Sequence, residues 1–261
     1  MKKILNFSML YACMVCVLWP EFALAQTEMP ITVNSEEALE AYHEALQTEW
    51  DGKRTQSQEK LEMALDLDPD FFMAYLFGAM RAKNMGDMET FEEMAGKGID
   101  LKDNLNEDEK HLCAGLELIL NDKAGEASPH FEVVAATYPQ DYDAVAYHAF
   151  QLYMAKEHDQ SNKYFAKLLE INPERTAVYN MMGYNYMFAE QFEKAEASFD
   201  KYIETNPDHP NPYDSKGDYF MAVKDFANAV EMFNKAYEMD KENYEFSKKK
   251  ADQARKMMEG N

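Results

Sequence analysis

Glycine and proline are scarce. Ten Gly and nine Pro occur among 261 residues, well under the about 12% that average usage gives the pair. A turn-rich all-β protein is thereby disfavoured, and a helical chain is the expectation. Basic residues are also few, 26 Lys and Arg against 48 Asp and Glu, for a formal net charge of −22. Nucleic acid and acidic lipid surfaces are held by clustered cations, so polyanion partners are not expected inside so negative a field. Motifs of catalysis are missing as well. No H-E-x-x-H, G-x-S-x-G, Walker or G-x-G-x-x-G pattern occurs, and the six His (43, 111, 130, 148, 158 and 209) contain no i, i+4 pair. No catalytic site, cofactor or metal is expected, and the acidic run Asp100 to Glu109 lacks the Gly and spacing of a calcium loop. His111 and His148 read as packed neutral imidazoles.

Long apolar runs are confined to the N-terminus. Lys2 and Lys3 precede the stretch Ile4 to Trp19, and Ala23-Leu24-Ala25 follows before Gln26, the three-part pattern of a secretory signal cleaved after Ala25. Asn6, Ser8 and Pro20 interrupt the run, which is too short to span a bilayer. The expectation is an exported protein, periplasmic or secreted, with no membrane span in the mature chain. Lipid anchoring through Cys13 is the minor alternative. Cleavage removes Cys13 and Cys16 and leaves Cys113 alone, so no intramolecular disulfide can form and stability must come from packing. Leu112 and Ala114 flank Cys113, which reads as a small buried apolar residue. The material for a core is present: 46% hydrophobic residues, including 16 Phe, 16 Tyr and 19 Met.

What fills the mature chain is a repeat. Pro139, Pro173 and Pro207 are 34 residues apart, as are Phe131, Phe165, Phe199 and Phe233, and Gly115, Ala149, Gly183 and Gly217. Pro69 joins this register if two residues are inserted near Asn106-Glu107. Six units follow, at 38–71, 72–107, 108–141, 142–175, 176–209 and 210–243. Position 8 of each is small (Ala45, Ala79, Gly115, Ala149, Gly183, Gly217), and position 24 reads Leu61, Ala95, Phe131, Phe165, Phe199 and Phe233. Position 20 is small as Ser57, Ala127, Ser161, Ala195 and Ala229, with Phe91 the departure in unit 2. Pro69, Pro139, Pro173 and Pro207 at position 32 end second helices.

Laid over one another, the units resemble the tetratricopeptide repeat, a helix-turn-helix family. The resemblance implies an all-α, right-handed superhelical solenoid of six helix pairs. Close crossing would require the small residue at position 8, and the ring at 24 would fill the gap between units. Residues 244–261 read as a C-terminal capping helix. Residues 26–37 read as a leader and first helix cap, with 26–33 flexible and Asn34 and Glu37 forming a capping box.

The same resemblance implies that positions 2, 5, 9, 12 and 13 line a concave binding face. In the central units these are Leu112, Leu116, Ile119 and Leu120, then Ala146, Phe150, Tyr153 and Met154, then Asn180, Tyr184, Met187 and Phe188. So apolar a surface reads as a peptide-binding groove. Family members that grip a carboxylate carry Lys, Asn and Arg there. This chain has Tyr42, Leu76, Leu112, Ala146, Asn180 and Asp214 at position 5, so no such clamp can form. The expected function is a non-catalytic scaffold that binds a protein, peptide or partner helix of apolar or basic character. The alternative is a structural subunit of an envelope complex or homo-oligomer that self-associates through the same surface.

Overall fold

The computed structural model describes residues 28–259. The signal segment, with Cys13 and Cys16, lies outside the described residues. Among those described there are thirteen α-helices and no strand. They are α1 (Glu36–Trp50), α2 (Arg54–Leu67), α3 (Phe72–Met85), α4 (Met88–Asp100), α5 (Glu107–Leu120), α6 (Ala124–Thr137) and α7 (Tyr142–Met154). Then follow α8 (His158–Ile171), α9 (Val178–Phe188), α10 (Phe192–Thr205), α11 (Pro210–Ala222), α12 (Phe226–Met239) and α13 (Glu245–Glu259). Successive helices pack as hairpins, α1 with α2 through α11 with α12, and α13 closes against α12.

Every hairpin turns on one residue with a left-handed backbone. These are Gly52, Gly86, Asp122, Lys156, Glu190 and Lys224, with φ between 57° and 78°. Only two are glycine, so four units accept the steric cost of a side chain there. Within a hairpin the small residue at position 8 sets the crossing. A Cβ on Gly115, Gly183 or Gly217 would stand 2.4, 2.6 or 2.5 Å from the ring of Phe131, Phe199 or Phe233. These rings therefore rest first on the helix of their own unit, a correction to the expectation that they fill the space between units. Phe199 also reaches forward, 6.1 Å from the ring of Tyr219. In two other units position 20 supplies a buried hydroxyl. Ser57 donates to the Ala45 carbonyl and Ser161 to the Ala149 carbonyl, each at 2.9 Å, so position 20 ties directly to position 8. In unit 2 the fully regular α4 buries Phe91 and Ala95 with the large and small positions exchanged.

The chain before α1 departs from expectation. Ser35, not Asn34, caps α1, its hydroxyl accepting from the Ala38 amide. Asn34 is drawn away because its amide and side chain both donate to the Asp68 carboxylate, at 2.6 and 3.1 Å. Of the residues read as a flexible leader, 26 and 27 lie outside the described residues, and the rest are pinned in the same way. The Met29 amide donates to Asp141 at 2.7 Å, the Thr32 amide to Glu109 at 2.8 Å, and Asn106 Nδ2 to the Pro30 carbonyl at 3.0 Å. Backbone N–H groups of this segment thus find acceptors at three successive inter-unit junctions, which satisfies groups that burial would otherwise penalise.

The first unit also reaches across the array. Tyr42 and Tyr147, 105 positions apart, share a buried hydrogen bond of 2.8 Å. The Trp50 ring lies 5.7 Å from Tyr142 and 5.5 Å from Phe150 on α7. At the α1–α2 turn, a Cβ on Gly52 would be 3.2 Å from His209 Cε1, in the turn before α11. The solenoid curls until its first unit faces its fourth and the junction of its fifth and sixth.

Candidate binding cavity

Curling forms a partly open cavity of about 840 Å³. Its wall comes mainly from first helices: Trp50 of α1, Phe77 and Met80 of α3, Asp143, Ala146, Tyr147, Phe150 and Met154 of α7, and Asn180, Met181 and Tyr184 of α9. Asp214 and Asp218 of α11, Tyr202 of α10, and Tyr244 and Lys250 at the closing end complete it. None of the lining residues belongs to α5 or α6.

Charge inside the cavity is largely paired. Arg81 donates to Glu49 at 2.9 Å, to Gln58 at 2.7 Å and to the Arg54 carbonyl at 3.1 Å. Lys250 lies 2.9 Å from Asp214 and 2.8 Å from Asp218. Ser247 donates to Asp214 at 2.6 Å and Tyr184 to Asp218 at 2.9 Å. Asp240 accepts from the amide and side chain of Asn243. Asp143 alone among the five lining carboxylates has no hydrogen-bond or salt-bridge partner among the described residues. It is half-buried and lines the cavity. Burial, reinforced by Asp141 and opposed by Arg175, pushes its carboxyl up to about 7.

Comparison with known proteins places this geometry. The tetratricopeptide repeat family profile matches residues 176–209 and 211–243. A thermophilic TPR protein of Thermus thermophilus, TTC0263, superposes with a TM-score of 0.53 at 15% identity, covering 70% of this chain and 98% of that one. The TPR protein YrrB, described as having an unusual peptide-binding site, gives 0.46 at 17% identity over 75% of this chain and 97% of its own. PilW, a type IV pilus biogenesis factor, gives 0.46 at 16% over 78% and 94%. No curated protein sequence matches the chain. The fifth and sixth helix pairs match the tetratricopeptide repeat, and the chain has the fold of a tetratricopeptide-repeat (TPR) solenoid. TPR solenoids generally serve protein–protein interaction and are typically non-catalytic scaffolds.

In TPR terms the cavity wall of the fourth unit is its positions 2, 5, 6, 9 and 13, which are Asp143, Ala146, Tyr147, Phe150 and Met154. The fifth supplies positions 2, 5, 6 and 9, with Asn180 and Tyr184 among them. Of the ten residues read as groove, four therefore line the cavity: Phe150, Met154, Asn180 and Tyr184. Six do not. Leu116 and Ile119 are fully buried, at 0% and 1% exposure, in one apolar cluster with Tyr42, Phe77 and Leu112, and Leu120 packs against that cluster. The third unit's inner face is covered by the first two units, which sequence periodicity cannot show. Tyr153, Met187 and Phe188 stand outside the cavity lining. Phe188 is 53% exposed, with the rings of Tyr153, Tyr184 and His158 about it at 6.0–6.3 Å.

The groove expected across the central units is thus a partly open cavity lined from both ends of the described chain. The residues that sequence reading missed, Trp50, Phe77, Met80 and Tyr244, come from sequence-distant units; Asp143 was at a lining position but not singled out. Elsewhere, Cys113 is buried and its thiol is pushed up to about 11 by burial, with Glu117 adding. His148 is buried against Tyr164 with ring centroids 4.3 Å apart, and burial pulls it down to about 4, so it is a neutral core imidazole. Among the described residues no group of three or more His, Cys, Asp or Glu is arranged to hold a metal, and no helix is long and apolar enough to cross a membrane.

Proposed function

We propose that this protein is an exported binding scaffold whose cavity holds a peptide segment of apolar or basic character from a protein partner. The observation that carries the reading is the cavity itself, walled by aromatic and Met side chains on the face TPR solenoids use for recognition. Trp50, Tyr147, Phe150 and Tyr184 offer rigid apolar area, and Met80, Met154 and Met181 adapt to the shape of what enters. Export is supported by the N-terminal sequence pattern.

The test is selection of short peptides from a displayed library on the purified chain, followed by calorimetry with two variants. Phe150→Ala, in the wall, should weaken the selected peptides at least tenfold. Phe188→Ser, exposed outside the lining, should leave them unchanged, and both should keep their helical circular dichroism. Equal binding by Phe150→Ala and the parent chain would refute the cavity as the site. A concentration-dependent increase in mass by light scattering that Phe188→Ser abolishes would instead favour self-association.

A further inference from the structure

The described chain divides at the junction of its fourth and fifth units. On the N-terminal side the units are bound to one another. The segment before α1 bonds in turn at the first three junctions, to Asp68, Glu109 and Asp141, and the fourth junction has no such strap among the described residues. Tyr42 and Trp50 of the first unit reach Tyr147, Tyr142 and Phe150 of the fourth, which joins these four units into one body. The fifth and sixth units with α13 form the other body, where Tyr184 bonds to Asp218 and Lys250 bridges Asp214 and Asp218.

The helix that opens the second body starts late. α7 and α11 begin at position 1 of their units, Tyr142 and Pro210, each under a side-chain cap from the residue before, Asp141 or His209. α9 begins two positions later, at Val178, with no side-chain cap, and its 11 residues make it the shortest of the thirteen. The amides of Val178, Tyr179 and Asn180 bond to carbonyls three residues back, at 3.0–3.2 Å, the pattern of a 3₁₀ turn with its poorer hydrogen-bond geometry. Residues at the end of an element, held in this way, are where hinges absorb changes in φ and ψ.

Hydrogen bonds between the two bodies all lie beside that turn, among the described residues. Asn185 bonds with His158, Ser161 and Asn162 at 2.8–3.0 Å, and Gln191 donates to Asp159 at 3.0 Å. The bodies meet again across the cavity, where a Cβ on Gly52 would be 3.2 Å from His209 Cε1. No hydrogen bond or ion pair joins them at this second contact. Asp51 is engaged within its own turn by Gln47 and Lys53, and His209 Nδ1 accepts from the Asn211 amide. The cavity lies between the bodies, with Trp50, Met80 and Phe150 on one side and Tyr184, Asp214 and Tyr244 on the other.

We infer that the fifth and sixth units, with α13, swing as one body about residues 175–177, parting Gly52 from His209 and opening the cavity to its occupant. The gating role rests on the binding reading above, whereas the hinge does not depend on what binds. Parting the first unit from the fourth instead would break the buried Tyr42–Tyr147 bond and strip Trp50 from two rings.

Spin labels on paired cysteines test this in the chain from Gln26 onward, whose one cysteine, Cys113, is buried. Lys53→Cys with Asp208→Cys spans the contact that parts, and Lys53→Cys with Glu157→Cys spans two units of one body; all three positions are exposed. Pulsed electron resonance on the free chain should give a broad or two-peaked distance distribution for the first pair and a single narrow one for the second. Narrow distributions for both would overturn the hinge, and broad ones for both would overturn its place between the fourth and fifth units. A reducible bismaleimide staple across the first pair should slow capture of the selected peptides about tenfold or more relative to the same variant unstapled, and reduction should restore it. Equal capture with and without the staple would overturn the gating. If no peptide is selected, the cavity reading fails and the gating with it, while the free-chain distances still decide the hinge.

Discussion

Replacing Gly183 by Ala should destabilise this protein, although the same change at most helical glycines stabilises. Alanine exceeds glycine in helix propensity by about 0.8–1 kcal/mol in a helix interior, and that gain applies to α9. Against it stands the ring of Phe199. The new Cβ would be 2.6, 2.8 and 2.8 Å from Cε1, Cδ1 and Cζ, where carbon atoms at rest keep about 3.5–4.0 Å. The ring cannot retreat freely, because Phe199 is fully buried between its own unit and Tyr219. The helices must part by close to an ångström, and overpacking of this kind costs about 1–3 kcal/mol. The pairing of Ala149 with Phe165 in the fourth unit shows that the fold tolerates a methyl there when the hairpin is spaced for it, so the net loss belongs near 1–2 kcal/mol. Gly96 is the internal control: it lies inside α4, and nothing stands within 4 Å of a Cβ there. Gly96→Ala should raise the melting temperature by about 1–4 °C, and Gly183→Ala should lower it by about 2–8 °C, at 2–4 °C per kcal/mol for a chain of this size. Thermal circular dichroism of the two variants beside the parent decides it. If Gly183→Ala stabilises as Gly96→Ala does, the ring contact does not set the hairpin spacing, and the account of position 8 is wrong.

Two further predictions concern buried charge. Asp143 is a carboxyl whose folded value, about 7, lies above its ordinary 3.8, so its penalty is absent at pH 4, grows as pH rises through about 7, and then stays. Asp143→Asn should therefore stabilise the free protein by about 2–4 kcal/mol at pH 8 and by little at pH 4, at 1.36 kcal/mol per unit, with Asp141 and Arg175 the charged neighbours; urea midpoints at the two pH values check this. His148 has the opposite sign. Held at about 4 against 6.5, it lends stability that is lost as pH falls below 6.5, so His148→Phe, which keeps the ring contact with Tyr164, should lose less stability between pH 7 and pH 5 than the parent. At the C-terminal end, Asp214→Ala removes the acceptor of both Ser247 and Lys250. It should free α13 at a cost of about 2–4 kcal/mol, somewhat below a fully buried pair because Lys250 is partly exposed, seen as faster amide exchange confined to residues 245–259.

Local chemistry was legible in the chain because it recurs locally. The 34-residue spacing of Phe131, Phe165, Phe199 and Phe233, the small residues opposite them and the prolines at the unit ends each act within one hairpin, so their periodicity predicts helices, crossing points and breaks. The register even assigned Phe150, Met154, Asn180 and Tyr184 to the inner face. It failed at Leu116 and Ile119 for a definite reason: whether an inward-facing residue meets solvent depends on what covers it, and here the cover is the first two units. Ser35 displaced Asn34 as the helix cap for a like reason, since Asp68 offers Asn34 a stronger acceptor from 34 residues away.

The sequence by itself determined the all-helical class, the hairpin unit and the side of each unit that turns inward, because those follow from steric and hydrophobic patterns one or two turns long. Only the tertiary structure decided that the array curls until Tyr42 meets Tyr147 and Gly52 approaches His209, turning a groove into a cavity. Curvature sums small packing angles over many units, and contacts more than a hundred residues apart leave no period in the chain.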